Sequence, residues 1–195
     1  LIAGYGRAWL AKRPYASPNI QRMELALLAF LPQGLVFFLP QTGRFVSQQW
    51  AALILPISLA ILLFFVWHNR RVPGFGLLGL GLLLNLAVIA ANGGLMPISP
   101  ETLAVVHGAQ AAVVDSRAFG SKSIVLPAEG TRLEWLADRF TVPDRLPIQF
   151  AFSLGDVCLA AGVFWTFWVG GTARPRGTCA VPEGETCSLE TPERV

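Results

Sequence analysis

The sequence predicts an all-α integral membrane protein, with four complete transmembrane helices and short interfacial helices in one long outer loop. Three observations carry that prediction. The 195 residues are 53% hydrophobic and only 14% charged, with a mean hydropathy of +0.53. An average globular chain carries roughly 25% charged residues, and 15 Lys/Arg with 12 Asp/Glu are too few to cover this much apolar surface in water. The apolar residues gather into four windows near the length a bilayer core demands, roughly 17–25 helical residues for about 30 Å. Trp50, Trp67, Trp165 and Trp168 fall near the ends of those windows, where indole rings favour the membrane–water interface.

Leu1-Ile2-Ala3 reads as the last turn of something apolar, followed by Gly4 and a basic stretch. The expectation is a fifth, N-terminal helix of which this is the remnant. The first window is Met23–Leu39, interrupted by Pro32 and Gln33. The second is Trp50–Trp67, with Pro56 inside it. Proline removes a backbone donor and kinks a helix, which a membrane helix tolerates where neighbours satisfy the freed carbonyl. The third window is Gly74–Ala91 and the fourth Phe152–Val169.

Between the last two windows lies the outer loop, residues 92–151. Asn92-Gly93-Gly94 signals a turn. Ser99-Pro100-Glu101-Thr102 combines an N-cap with proline at the first helical position, so a helix is expected from Pro100 to Val114. Thr131-Arg132-Leu133-Glu134 has the capping-box pattern. It predicts a second helix with Leu133, Leu136, Ala137 and Phe140 on one face and Trp135 at its border, lying in the interface and ended by Pro143 and Pro147.

Lys/Arg counts set the orientation. Residues 1–22, 68–73 and 170–195 share one side and carry nine; the other side carries six, five of them diluted through the outer loop among six acids. Short basic segments stay cytoplasmic. The expected arrangement is a bacterial inner-membrane protein with residues 1–170 as one multi-pass domain, the loop 92–151 outside, and a polar cytoplasmic tail at 171–195. His68-Asn69-Arg70-Arg71 would meet anionic head groups.

Gly74, Gly81, Asn85 and Asn92 are spaced 7, 4 and 7 apart, which puts them on one face of the third span. Small residues let helices approach closely, and an asparagine amide can bond across the contact. Intramolecular packing is the leading reading of this face; a polar lining for a ligand or pathway is the sharper one. Ser153-Leu154-Gly155-Asp156 fits a capping box at the outer start of the last span, where a carboxylate meets free N–H groups and the positive helix end. Alternatives for Asp156 are a proton or cation site, or a partner such as Asn92 or Lys122. Gly81, Asn85, Asn92, Gly93, Gly94, Pro97, Ser153 and Asp156 are therefore assigned structural roles.

No catalytic, cofactor or metal ligand set is legible. His68 and His107 fall on opposite sides of the membrane, so they cannot share a haem. Gly74 to Gly79 spells Gly-x-Gly-x-x-Gly, but at the start of a membrane helix with no strand before it. Cys179 and Cys187 lie in the tail, where a cytoplasmic location would keep them reduced. Cys158 lies in a span as a small apolar residue.

Residues 84–97, Leu84-Asn85-Leu86 through Asn92-Gly93-Gly94-Leu95-Met96-Pro97, stand out together with Ser121-Lys122, Thr131-Arg132-Leu133 to Asp138, and Phe152-Ser153-Leu154-Gly155-Asp156-Val157. In these elements the chain resembles a group of small bacterial multi-pass membrane proteins known as a domain of unknown function. The resemblance covers roughly residues 20–170, implies a five-span fold and supplies no activity. The cysteine-bearing tail has no counterpart in it.

Two functions compete, with an integral-membrane enzyme acting on lipid as a weaker third. The first is a non-catalytic accessory or structural subunit of a larger membrane complex, such as a respiratory or photosynthetic electron-transfer assembly, with other membrane subunits and lipids as partners and no nucleic acid. The second is a small transporter or a lipid- or quinone-binding protein, with Asn85, Asn92 and Asp156 as polar contacts beneath the outer loop. No cofactor of its own is expected, beyond a bound lipid or quinone.

Overall fold

The computed structural model describes residues 2–10, 12, 17–38, 46–107, 122–143 and 149–170. The chain is mostly helical. Helix α1 spans Ile2–Leu10, α2 Met23–Gln33, α3 Gln48–His68, α4 Phe75–Ala91, α5 Pro100–His107 and α6 Leu154–Gly170. Among the described residues two small strand pairs lie between α4 and α6, so the all-α expectation is corrected there. Strand β1 (Met96–Ile98) pairs in parallel with β2 (Ser123–Val125), and β3 (Phe140–Thr141) pairs antiparallel with β4 (Ala151–Phe152).

Each apolar window yields a helix, with shifted ends. Helix α3 has 21 residues and a mean hydropathy of 2.4. At 1.5 Å per residue it is about 31 Å long. Among the described residues it is the one helix long and apolar enough to cross a membrane. The expectation of four complete spans is not confirmed: α3 is the one candidate, by length and composition, while α4 and α6 are apolar but have 17 residues each. Helix α2 ends early because Pro32 cannot donate and its ring crowds the preceding turn. The backbone then widens into a π turn, Gly34–Phe38. Pro56 is carried inside α3 without a break. Leu39 and the tail at 171–195, with Cys179 and Cys187, lie outside the described residues.

The long helices form a row. Helix α2 packs on α3, α3 on α4, and α4 on α6, while α1 packs on the C-terminal end of α6. There the Arg7 guanidinium sits 4.6 Å from the Trp168 ring centroid. The apolar core runs through the row, with Ala29, Leu55, Val88 and Ile89 buried. Asn69 is buried rather than facing head groups. Its Nδ2 donates to the carbonyls of Gln21 and Phe65 (2.9 and 3.0 Å), and its Oδ1 accepts from the Gln21 N–H (2.8 Å). This ties the approach to α2 to the end of α3. Arg70 stacks on Trp67 instead, 4.5 Å from its ring centroid.

The outer loop departs most from expectation. Helix α5 starts at Pro100, where Ser99 Oγ accepts from the Thr102 N–H at 3.1 Å. Its expected extension to Val114 falls outside the described residues. The predicted helix over 131–140 does not form. Leu133 takes a left-handed conformation (φ 55°), Glu134–Leu136 make one 3-10 turn, and the chain then runs extended into β3. The Thr131 hydroxyl donates back to the Pro127 carbonyl at 3.0 Å. The backbone here is claimed from outside: Asn92 bonds the N–H and carbonyl of Arg132 (2.9 and 2.8 Å), and the Asp138 N–H donates to the Pro97 carbonyl (3.2 Å). Leu136 and Ala137 are buried, whereas Leu133, Trp135 and Phe140 are exposed.

Candidate functional site

The α4–α6 seam is built from small residues on both sides. A Cβ on Gly81 would lie 2.6 Å from the Gly155 carbonyl oxygen and 2.8 Å from Leu159. One on Gly74 would collide with Thr166 and the Gly162 carbonyl. Gly155, Gly162 and Thr166 repeat on α6 the 7-and-4 spacing of Gly74, Gly81 and Asn85 on α4. Sequence reasoning saw only the α4 half, and that matching spacing was the available signal.

Where the seam meets the outer loop, three polar side chains close on one another. Asn85 Nδ2 donates to Asp156 Oδ1 at 3.0 Å. The Ser153 N–H donates to Asp156 Oδ2 at 2.9 Å, and the Asp156 N–H donates to Ser153 Oγ at 3.2 Å. The single Ser153 hydroxyl hydrogen has two acceptors in reach, Asp156 Oδ2 at 2.8 Å and Asn85 Oδ1 at 3.0 Å. The hydrogen-bond partner of Asp156 across the seam is thus Asn85 rather than Asn92, while Lys122 interacts with Asp156 through its charge. Asn92 stands beyond the helix face as the last residue of α4's turn, bonded to Val88 and Arg132.

Gly93 and Gly94 both have positive φ (79° and 91°), a conformation open to glycine at little cost. The Gly94 N–H donates to the Ile89 carbonyl at 2.8 Å, closing the end of α4. A side chain on Gly94 would run into the backbone of Ala52. Pro97 is fully buried within β1, opposite Ile124.

Beside this network the row lines a partly open cavity of about 570 Å³, within the roughly 300–1,000 Å³ typical of small-molecule sites. Helices α2 and α6, at the two ends of the row, share no substantial contact, and both line it. Along α3 the lining runs from Leu55 to Val66, about 16 Å. Its inner part is apolar: Ala26, Leu62, Phe65, Leu78 and Val163. Its polar lining is confined to the outer part: Gln33, Asn85, Lys122, Ser123, Asp138 and Asp156. Gln33 and Asp138 were not singled out from the sequence, and Lys122 stood there only as a candidate partner of Asp156. They come from three separated segments, and only the tertiary fold joins them.

The outer end has unusual electrostatics. Lys122 Nζ donates to Gln33 Oε1 at 3.3 Å and lies 5.8 Å from the Phe37 ring centroid. Burial lowers its pKa from the ordinary lysine value, opposed by the charge of Asp156. Burial, then the nearby Asp156 carboxylate, pushes the Asp138 carboxyl up to about 7. Gln33 is 4% exposed, and its Nε2 has no hydrogen-bond partner among the described residues. A buried polar group left without a partner costs about 1–3 kcal/mol. Among the described residues no cluster of three His, Cys, Asp or Glu could hold a metal ion.

An uncharacterized protein of Thermotoga maritima is 29% identical over 125 residues, which cover 60% of this chain and 64% of that protein. The chain thus spans less than two thirds of that relative's length. No solved structure matches. A model for a family of unknown function, DUF5317, matches residues 17–168. That stretch holds every residue lining the cavity and both halves of the α4–α6 seam. The chain belongs to the DUF5317 family.

Proposed function

We propose that the protein is a multi-pass protein of the bacterial inner membrane, and that its helices hold one amphipathic molecule, a lipid or a quinone, in the cavity beneath the outer loop. The observation that carries the reading is the lengthwise division of the cavity. An apolar body about 16 Å long ends in a polar rim of Gln33, Asn85, Lys122, Asp138 and Asp156. This is the lining that a tail and a head group require.

The membrane part of the proposal rests on the outer surface of the helix row. Leu27, Leu28 and Leu31 on α2, Ile57 and Phe64 on α3, Leu83 on α4, and Phe164 and Trp165 on α6 are all exposed. Such continuous apolar exposure is unfavourable in water and ordinary in a bilayer. The Lys/Arg distribution favours Arg70 and Arg71 on the cytoplasmic side and the outer loop outside.

The accessory-subunit reading drew on small-residue faces free to pack against another chain. Those faces are spent inside this chain, Gly81 against Gly155 and Gly74 against Gly162. Ligand binding is therefore the better-supported function.

The test is native mass spectrometry of the full chain extracted in a mild detergent. The expected spectrum contains protein plus one lipid or quinone mass, weakened or lost in Leu62→Trp, which places an indole ring in the path of the ligand tail. A wild-type spectrum of bare protein, or one of stable co-extracted subunits without a small molecule, overturns the proposal.

A further inference from the structure

We infer that the outer end of the cavity selects a neutral head group that presents carbonyl oxygens, as in a quinone or a glycerol ester, and rejects an anionic one. This rests on the ligand-binding reading above and assigns the chemistry of the head.

The first observation is an unused donor. The orientation of the Gln33 amide is fixed by Lys122: Oε1 accepts from Nζ at 3.3 Å. The reverse orientation would point an NH2 group at an ammonium, which has no acceptor to offer. Gln33 lines the cavity, and its Nε2 is a buried donor lacking an acceptor among the described residues. A ligand carbonyl that the Gln33 side chain turns to meet supplies the missing acceptor.

The second observation is the charge inventory. Among the described residues lining the cavity, Lys122 is the one cation; the same lining holds two carboxyl groups, Asp138 and Asp156, and the charge of Asp156 acts on Lys122. Asp156 already accepts from Asn85 and Ser153. Glu134 and Arg139 border Asp138 from a smaller cleft on its other side, away from this lining. The fixed charge at the rim is thus zero or negative, depending on Asp138. A buried anion needs a cation or a full set of donors. A phosphate or carboxylate head would compete with Asp156 for Lys122 and lie beside Asp138. A neutral carbonyl head meets neither penalty. Below about pH 7 Asp138 is protonated and its O–H offers a second donor, whereas at pH 8 its charge adds to the penalty on an anionic head.

The test uses full-length protein in a maltoside detergent and three probes with matched tails: decylubiquinone, monodecanoin and decyl sulfate. Native mass spectrometry at pH 8 counts the bound masses. The expected result is one decylubiquinone or monodecanoin per chain, with decyl sulfate bound at least about tenfold more weakly, the effect of roughly 1.4 kcal/mol. Whichever neutral probe binds more tightly identifies the source of the carbonyl. Gln33→Glu keeps the shape and the acceptor for Lys122 but removes the donor, so it should weaken the neutral probe about fivefold, the worth of one neutral hydrogen bond. An unchanged circular dichroism melt confirms that this variant is folded. If decyl sulfate binds as well as the neutral probes, or Gln33→Glu binds them unchanged, the head-group assignment fails while the ligand-binding reading stands. If no probe binds, both fail.

Discussion

The two sides of α4 treat polar groups in opposite ways. Toward α6, the polar atoms are used up: Asn85, Ser153 and Asp156 exchange hydrogen bonds among themselves, and glycines bring the backbones together. Toward α2 and α3, the same apolar core opens into a cavity, and the buried Gln33 keeps a donor without a partner among the described residues. A satisfied buried network holds a fold together, whereas a half-satisfied one costs stability. The contrast separates Asp156 from Asp138. Both carboxyls line the cavity, but one is held by three donors and the other sits in low-dielectric surroundings with its pKa raised.

The strongest way to break the contrast is to pry the seam apart. Gly81→Leu forces a side chain into the Gly155 carbonyl and Leu159. It should cost about 3 kcal/mol, the upper end of ordinary overpacking, read as a large fall in melting temperature or loss of folded yield in detergent. Asp156→Ala comes next. It leaves Asn85 Nδ2 and the Ser153 N–H without their acceptor and should cost about 2 kcal/mol. Asp156→Asn should be milder, because its amide oxygen still accepts. If Asp156→Asn instead left stability intact but abolished a transport activity measured in vesicles, a proton on Asp156 would be what matters.

Asp138 sharpens the comparison through pH. Its folded pKa of about 7 lies above the ordinary 3.8, so the folded state binds the proton more tightly than the unfolded one. The stability this contributes is fully present below about pH 4 and is lost as pH rises to about 7. Asp138→Asn should therefore raise the melting temperature by several degrees at pH 8 and change little at pH 4. Wild-type and variant melts across that range decide it; parallel profiles would refute the raised pKa. The smallest effect belongs to Gly76, on α4 but with open space where a methyl group would stand: no neighbouring atom comes within 4 Å of that point. Gly76→Ala should be neutral or stabilising by up to about 1 kcal/mol, opposite in sign to any enlargement at Gly81.

How far the sequence could be read is clearest in its two capping-box patterns. Ser153 to Asp156 and Thr131 to Glu134 share the signature, and only the first forms the reciprocal bonds at a helix start. At Ser153 the following residues are a long apolar helix that packs on α4, so local preference and tertiary packing agree. At Thr131 the backbone is captured by Asn92 and by Pro97 of β1, partners some 40 residues away in sequence. No local pattern carries that information. Hydropathy likewise located the helices, because burying or embedding apolar area is a property of each window on its own. The cavity was not legible: Gln33, Lys122 and Asp138 look like a helix-end amide and two loop charges until the row of helices brings them to one rim.

The bond between Asn85 and Asp156 spans 71 residues, and that separation sets an order in time. At synthesis rates of about 5–20 residues per second, roughly 4–14 s pass between the emergence of α4's asparagine and that of its partner. Throughout that interval α4 carries an open glycine stripe and an amide lacking its eventual acceptor. The α2–α3 pair, clamped by Asn69 to Gln21 across only 48 residues, is complete before the interval begins. The nascent chain therefore waits as a half-built row, and arrest or dilution of synthesis between residues 85 and 156 is the point at which misassembly with a neighbouring copy's glycine-rich helix has its longest opportunity.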